Sequence, residues 1–311
     1  MAAFLGKRLL LLIPVVFGVV TLTFFLMHMT PGDPARTFLG TRASPEALEA
    51  LRHQWGLDQP LWNQFLNYLG ELARGDLGES TLFREPIINL LAIRLPPTLA
   101  LLFMSTVFSI IIALPLAAWA AVKKNTWVDG VVRFFSAIVL GMPTFFIGAI
   151  FIAVFALQLG LFPVGGYGSS FLENVWSLVL PSITVALGIV PLLVRSLRAS
   201  LIDSLDSEYV SFATTKGLKR TTVWVGYALR NGSISGVTIL GIQVGILAGG
   251  SLVVENVFAI PGMGSFLMQG ILNRDFPVVQ ASTLTFALLV VVVYLLTDVT
   301  YALLDPRVRQ K

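Results

Sequence analysis

The 311-residue chain has no cysteine and only two histidines, His28 and His53, far apart in sequence. Without cysteine there is no disulfide framework and no thiolate chemistry. No HExxH, GxSxG or Cys/His cluster occurs, so an intramembrane hydrolase is disfavoured and His28 reads as an interfacial or hydrogen-bonded residue rather than a metal ligand. The phosphate-cradling pattern GxxxxGK followed by Ser or Thr is missing too, so this polypeptide is not expected to bind ATP for hydrolysis. Charge is scarce: 12% of residues are charged and 56% are hydrophobic, with a mean hydropathy of +0.83. So little polar surface cannot cover a water-soluble globule of this length, and the chain reads as a membrane protein.

What is present is a series of uncharged runs: Leu9–Met29, Leu95–Val122, Phe134–Leu172, Asn174–Val194, Asn231–Val254 and Phe276–Thr297. Each is long enough to cross a bilayer core of roughly 30 Å as a helix, which predicts six spans and an all-α polytopic fold. The third run exceeds one span, and its tail LFPVGGYGSSFLE has the Gly, Pro and Ser of a loop, so its helix is expected to end near Leu159. Leu9–Met29 is too long for an apolar signal core and no small-residue cleavage pattern follows, so it reads as an anchor, with TPGDPA as a turn after it.

Lys and Arg collect on one predicted face. That face holds Lys7, Arg8, Lys123, Lys124, Arg133, Arg195, Arg198, Lys216, Lys219, Arg220, Arg230, Arg307, Arg309 and Lys311, 14 of the 21 basic residues, against six acidic ones. The other face has seven basic and 11 acidic residues. Basic loops stay in the cytoplasm, so both termini are expected there. The net charge of +4 is the sum of this topology signal and needs no nucleic acid to explain it.

Two segments between spans are large. The first, residues 30–97, is expected outside. In SPEALEALRHQWG, Ser44 caps, Pro45 opens and Gly56 stops a short helix. QPLWNQFLNYLGELARGD predicts a second, from Pro60 to Gly75, with Leu61, Phe65, Leu69 and Leu72 on one stripe. This segment is either a cap over the bundle or a docking surface for an extracytoplasmic partner, and without a flexible tether it belongs to the same domain as the rest, 1–311.

The second segment, residues 195–232, is expected in the cytoplasm. Leu193, Leu197, Leu201 and Leu205 recur every fourth residue, so the fourth span is predicted to continue as an amphipathic helix to Phe212. Gly217 breaks the pattern, Thr221 or Thr222 caps the next helix, and Val223, Trp224, Tyr227 and Leu229 supply apolar contacts back towards the membrane. A cationic bend of this kind is compatible with simple topology control and contact with anionic membrane lipid.

Inside the spans few polar groups remain. Asp298, beside Thr297, Thr300 and Tyr301, reads as a hydrogen-bonded interhelix anchor. Glu255, before VFAIPGMG, is either a pin for that loop or a pathway residue. Gly232 and Gly236, then Gly241, Gly245 and Gly249, form small-xxx-small steps that let a helix approach closely. That stripe serves packing within the chain or an interface that slides, with Gln243 among the few polar groups able to face it. A proton- or sodium-driven carrier would show more charge at the midplane, although a secondary carrier without an ATPase stays open as an alternative.

The stretch EYVSFATTKGLKRTTVWVGYALRNG, Glu208–Gly232, resembles the EAA loop of the membrane subunits of bacterial ABC importers. Where the general pattern has Glu-Ala-Ala, three residues and Gly, this chain has Ser211, Phe212, Ala213, TTK and Gly217. Where it has Ile-x-Leu-Pro, this chain has Tyr227, Ala228, Leu229 and Arg230, as is typical of the peptide-importer branch. KRLLLLIPVVFGVVTLTFFLMHMTPGDPA, GLDQPLWNQFLNYLGELARGDLGES, GGSLVVENVFAIPGMGSFL, RDFPVVQA and DVTYALLDPRVRQK are similar to the first of the two permeases of dipeptide, oligopeptide, glutathione and nickel importers. The resemblance implies a type I importer permease in the bacterial inner membrane, non-catalytic, with no cofactor of its own. It further implies a homologous second permease, two ATP-binding subunits that hold ATP and Mg, and an extracytoplasmic substrate-binding protein. Di- and oligopeptides are the expected cargo, with nickel or glutathione as alternatives. Glu208, Ala213, Lys216, Gly217, Lys219 and Arg220 are expected to couple the chain to the ATPase, and Gln243, Gly241, Gly245, Gly249 and Glu255 to line the pathway or a helix interface.

Overall fold

A computed structural model describes residues 2–29, 34–40 and 43–304, and among these the regular elements are all helices, with no β-strand. The TPGDPA turn falls largely outside the described residues, as do the side chain of Asp298 and the surroundings of Gly249. The helices are α1 Ala2–Met29, α2 Pro34–Leu39, α3 Pro45–Gln54, α4 Leu61–Ala73, α5 Ile87–Val122, α6 Trp127–Gly141, α7 Thr144–Phe151, α8 Phe171–Leu205, α9 Glu208–Thr215, α10 Arg220–Thr222, α11 Arg230–Val257, α12 Met263–Asn273 and α13 Phe276–Leu304. Two π-helical stretches, Ile152–Gln158 and Val223–Leu229, extend α7 and α10.

Among the described residues α5, α8 and Phe276–Thr297 of α13 are long and apolar enough to cross a membrane. A fourth span results if α6 and α7 with its π-helical extension form one bent crossing, and Ile13–Met29 of α1 is a shorter apolar helix. Large apolar side chains such as Phe103, Ile111, Phe134 and Phe135 are exposed on α5 and α6. In water such a surface would aggregate; in lipid it is the ground state.

The third run does end its helix at Gln158, next to the expected Leu159, but it is broken on the way. Pro143 disfavours helical backbone at the residue before it, and Met142 is extended at φ −92°, ψ 129°. The axes of the two halves differ by 101°.

The chain divides into two compact units. One comprises 99–260 and residues from 289 onwards. Its core joins Ala113, Ala117, Ala120 and Ala121 of α5 and Val132 of α6 to Ile189, Val190, Leu193, Val194, Leu197 and Leu201 of α8. Alanines opposite leucines let long helices close without voids. The other unit comprises 2–98 and 261–288. In it α3 and α4 form as expected: Ser44 Oγ accepts from the Ala47 N–H, Pro45 opens α3, and Gly56 and Gly75 follow the ends of α3 and α4 with positive φ. Of the predicted α4 stripe only Phe65 is buried, against Phe24 of α1 at a ring separation of 5.2 Å.

Candidate functional site

The segment 195–232 begins in the second half of α8. Leu193, Leu197 and Leu201 of its fourth-residue stripe are buried as the spacing requires, with Leu201 fully so, while Leu205 at the helix end is half-buried. The helix nevertheless stops at Leu205 rather than running to Phe212. Ser207 is extended, and its Oγ donates to the Ser204 carbonyl at 2.5 Å, a local bond that competes with continuation of the helix. A separate helix, α9, then starts at Glu208. It holds only Val210 and Ala213 inwards, against Val223 of the returning segment. Glu208, Lys216, Gly217, Lys219 and Arg220 are exposed.

The exposed face of α9 is not purely charged. Phe212 is 62% exposed, Tyr209 42% and Leu218 40%, and Lys216 Nζ lies 4.5 Å from the Phe212 ring centre. At Gly217 the chain turns with φ +77°. The Gly217 N–H donates to the Thr214 carbonyl and the Leu218 N–H to that of Ala213, a Schellman closure that favours glycine at this position. The chain re-enters a helix at Arg220 with Lys219 at the N-cap position and no side-chain cap. Thr221 and Thr222 lie inside α10 instead of capping it, because the Schellman turn leaves only Leu218 and Lys219 before helical geometry resumes. Val223 and Ala228 are buried, Trp224 and Leu229 partly so, while Tyr227 stays exposed.

On α11 the described glycines face other helices of the same chain. A Cβ at Gly236 would overlap Leu197, and one at Gly232 would come within 2.8 Å of Leu201, both on α8. At Gly241 it would overlap Thr297, and at Gly245 come within 3.2 Å of the Tyr294 ring, both on α13. Gln243 is half-buried and lines a cleft of about 440 Å³ with Leu192, Arg195, Ser196, Ile239 and Ile242. Glu255 is fully buried at the end of α11. Ser251 Oγ donates to its carboxylate at 3.4 Å, and its own carbonyl accepts from Ile260 N–H at 2.8 Å, closing the turn in which Ala259 has φ +49°.

Two clusters escaped sequence reasoning because their members are far apart in the chain. Asp129 of α6 is fully buried and holds Arg198 of α8 through two hydrogen bonds of 2.6 Å. In the other unit Asp275, also fully buried, accepts from Ser80 Oγ at 2.5 Å and Leu82 N–H at 2.9 Å. That unit also contains a pocket of about 820 Å³ lined by Phe24, His28, Trp55, Gln64, Tyr68 and Gln280 among others. The His28 ring nitrogens lie 2.8 Å from the Phe24 carbonyl oxygen and 3.1 Å from Gln64 Oε1, a hydrogen-bonded setting. Burial pushes the Tyr68 hydroxyl up to about 12, so it remains a protonated donor at the pocket wall.

Comparison with known proteins accounts for nearly the whole chain. Residues 113–310 match the family described as binding-protein-dependent transport system inner membrane component, and residues 1–102 match its N-terminal membrane component. The glutathione transport system permease protein GsiC of Escherichia coli O6:H1 is 40% identical over 306 residues, 98% of each chain. The GsiC protein of Shigella boydii serotype 4 is 39% identical over the same length and coverage. An inward-facing structure of the MetNI methionine ABC transporter superposes with a TM-score of 0.59 at 18% identity, covering 70% of this chain and 96% of that one. An amino acid ABC transporter with histidines gives 0.53 at 14% identity, covering 69% of this chain and 94% of the other. These two similarities establish the fold. With family matches over both halves and relatives identical at two residues in five, the chain belongs to the binding-protein-dependent transport system inner membrane components, as a non-catalytic, multi-pass permease subunit of bacterial ABC importers of the peptide, glutathione and nickel type.

Proposed function

We propose that the chain forms one half of the translocation pathway for short peptides in an importer, beside a homologous second permease. Two ATP-binding subunits bind ATP and Mg and supply the hydrolysis, and an extracytoplasmic substrate-binding protein delivers the cargo. Glutathione, itself a tripeptide, leads among the cargoes because relatives covering 98% of the chain carry its name. The chain crosses the membrane six times with both termini in the cytoplasm, a reading supported by helices over all six apolar runs and by the concentration of Lys and Arg on one face.

The observation that carries the coupling role is α9. It presents Glu208, Tyr209 and Phe212 to solvent, and the turn that follows adds Lys216, Leu218, Lys219 and Arg220, while Val210 and Ala213 fasten α9 to the returning segment. Exposed aromatic and basic groups on a short, pinned helix suit insertion into a groove of a partner protein. ATP binding draws the two ATPases together, their grooves carry α9, and the attached helices turn the pathway outwards; hydrolysis resets it. Gln243 lies on the pathway, Gly241 and Gly245 let α11 pack closely against α13 beside it, and Glu255 pins the loop at its outer end.

The test is ATP hydrolysis and uptake by the complete complex in proteoliposomes, with its binding protein and a panel of glutathione, dipeptides, longer peptides and nickel. Stimulation by glutathione or short peptides is expected. Stimulation by nickel alone overturns the cargo assignment, and failure of the chain to co-purify with any ATPase overturns the assembly and favours an independent carrier.

A further inference from the structure

Asp129 occupies the third position of α6 and takes contacts from three directions. Arg198 Nε and Nη2 each lie 2.6 Å from a different carboxylate oxygen. The Asn125 backbone N–H donates to Oδ2 at 3.2 Å, and Arg133 Nε approaches Oδ1 at 3.7 Å. The forked arrangement fixes both distance and direction between α6 and α8. A buried ion pair is a poor source of net stability, because desolvation of both ions offsets most of their attraction. What it supplies is a fixed joint.

The joint's location matters. α9 follows α8 across Asp206 and Ser207 only, and a Ser204–Tyr209 hydrogen bond of 3.0 Å spans that gap. Motion of α9 therefore arrives at the end of α8. Further along, α8 contains Pro191, which lacks the N–H for one helical bond and clashes with the carbonyl four residues back. That turn is the first compliant point met from the α9 end, with Pro181 a second one further along. Arg198 lies between the two. Held only by its own backbone, α8 would bend at Pro191 and absorb a push from α9. Tied to Asp129 before that point, its inner half moves with α6. A second link, Lys124 to Asp206 at 3.0 Å, joins the same neighbourhood but is 44% and 66% exposed, so solvent screens it and it fixes little.

We infer that Asp129 and Arg198 are positioning residues that pass the displacement of α9 to α6, and through it to the bent α6–α7 segment, ahead of the weak turn at Pro191. The inference rests on the importer reading proposed above. The Asp129→Asn variant keeps the size of the side chain and an acceptor for the Asn125 N–H while removing the charge that holds Arg198. In the complete reconstituted complex it is expected to retain basal ATP hydrolysis while uptake per ATP falls about fivefold or more, the scale of an ordinary coupling free energy. Lys124→Ala, which removes the exposed pair, is expected to keep the native ratio. Asp129→Asn complexes that assemble and keep the native uptake per ATP overturn the inference.

A second measurement needs no change at Asp129. Spin labels at Phe135 on α6 and Asp203 on α8, both exposed, are expected to hold one separation in nucleotide-free and ATP-bound complexes while the rest of the assembly rearranges. A separation that changes between the two states overturns the inference even if Asp129→Asn fails to assemble. If the native complex shows no ATP-dependent uptake at all, the importer reading falls and this one with it; if native uptake is coupled and the Asn variant is equally coupled, only the joint is refuted.

Discussion

Gly241→Ala is the sharpest test of helix packing in this chain. An alanine Cβ there would lie 2.5 Å from Thr297 Oγ1 and 2.8 Å from Thr297 Cβ. Rotation about χ1 moves the hydroxyl and the methyl group of Thr297 but leaves its Cβ in place. The side chain is also held, because Oγ1 donates to the Val293 carbonyl at 2.8 Å. Relief therefore requires α11 and α13 to separate. Forced overpacking of this kind costs about 1–3 kcal/mol, while alanine gains up to ~1 kcal/mol over glycine as a helix former, leaving a net loss of up to about 2 kcal/mol. Gly70 in α4 is the control: nothing lies within 4 Å of its Cβ position, so Gly70→Ala collects only the propensity gain. Purified protein in detergent, followed by fluorescence of its six tryptophans during heating, is expected to melt earlier for Gly241→Ala and no earlier than native for Gly70→Ala. Equal or higher stability of Gly241→Ala would refute the close contact of α11 with α13.

Three other perturbations separate coupling from folding. Gly217→Val places a β-branched residue at φ +77°, a local strain of roughly 1–2 kcal/mol in otherwise open space; the complex is expected to assemble but lose substrate-stimulated ATPase activity, and normal stimulation would remove Gly217 from the coupling role. Phe212→Ala leaves the interior untouched, since the ring is 62% exposed, so its melting temperature should match native while co-purification with the ATPase weakens; retained affinity would show that this ring is not an anchor. Asp275→Ala strands the Ser80 hydroxyl and the Leu82 N–H, at about 1–3 kcal/mol; faster hydrogen exchange at Leu82 is expected, and unchanged protection would mean that this link does not hold the segment.

Much of the candidate site was legible because its signals are local. The Schellman turn at Gly217 needs a glycine and five neighbouring residues, and the α3 cap needs only Ser44, Pro45 and Gly56. The buried leucines of α8 follow from helical spacing alone. The end of that helix was not legible, since a leucine stripe continues to Leu205 without announcing that Ser207 will turn away from helical geometry. Pro143 did announce a break, yet a continuous apolar run masked it. α12 was hidden for another reason: Gly264, Ser265 and Gly270 make it look like a loop, whereas Met263 and Phe266 are fully buried in it and the N–H of Met263 donates to Thr98 Oγ1 at 2.8 Å.

The sequence by itself determined that this chain lives in a membrane and where its long apolar helices begin, because hydropathy and capping act over a few neighbouring residues. Only the tertiary structure decided that Asp129 meets Arg198, that Asp275 holds Ser80, and that Gly241 admits Thr297. Those pairings join residues from 56 to 195 positions apart, and which of the many polar and small residues meet depends on how the helices pack, a choice that no local pattern encodes.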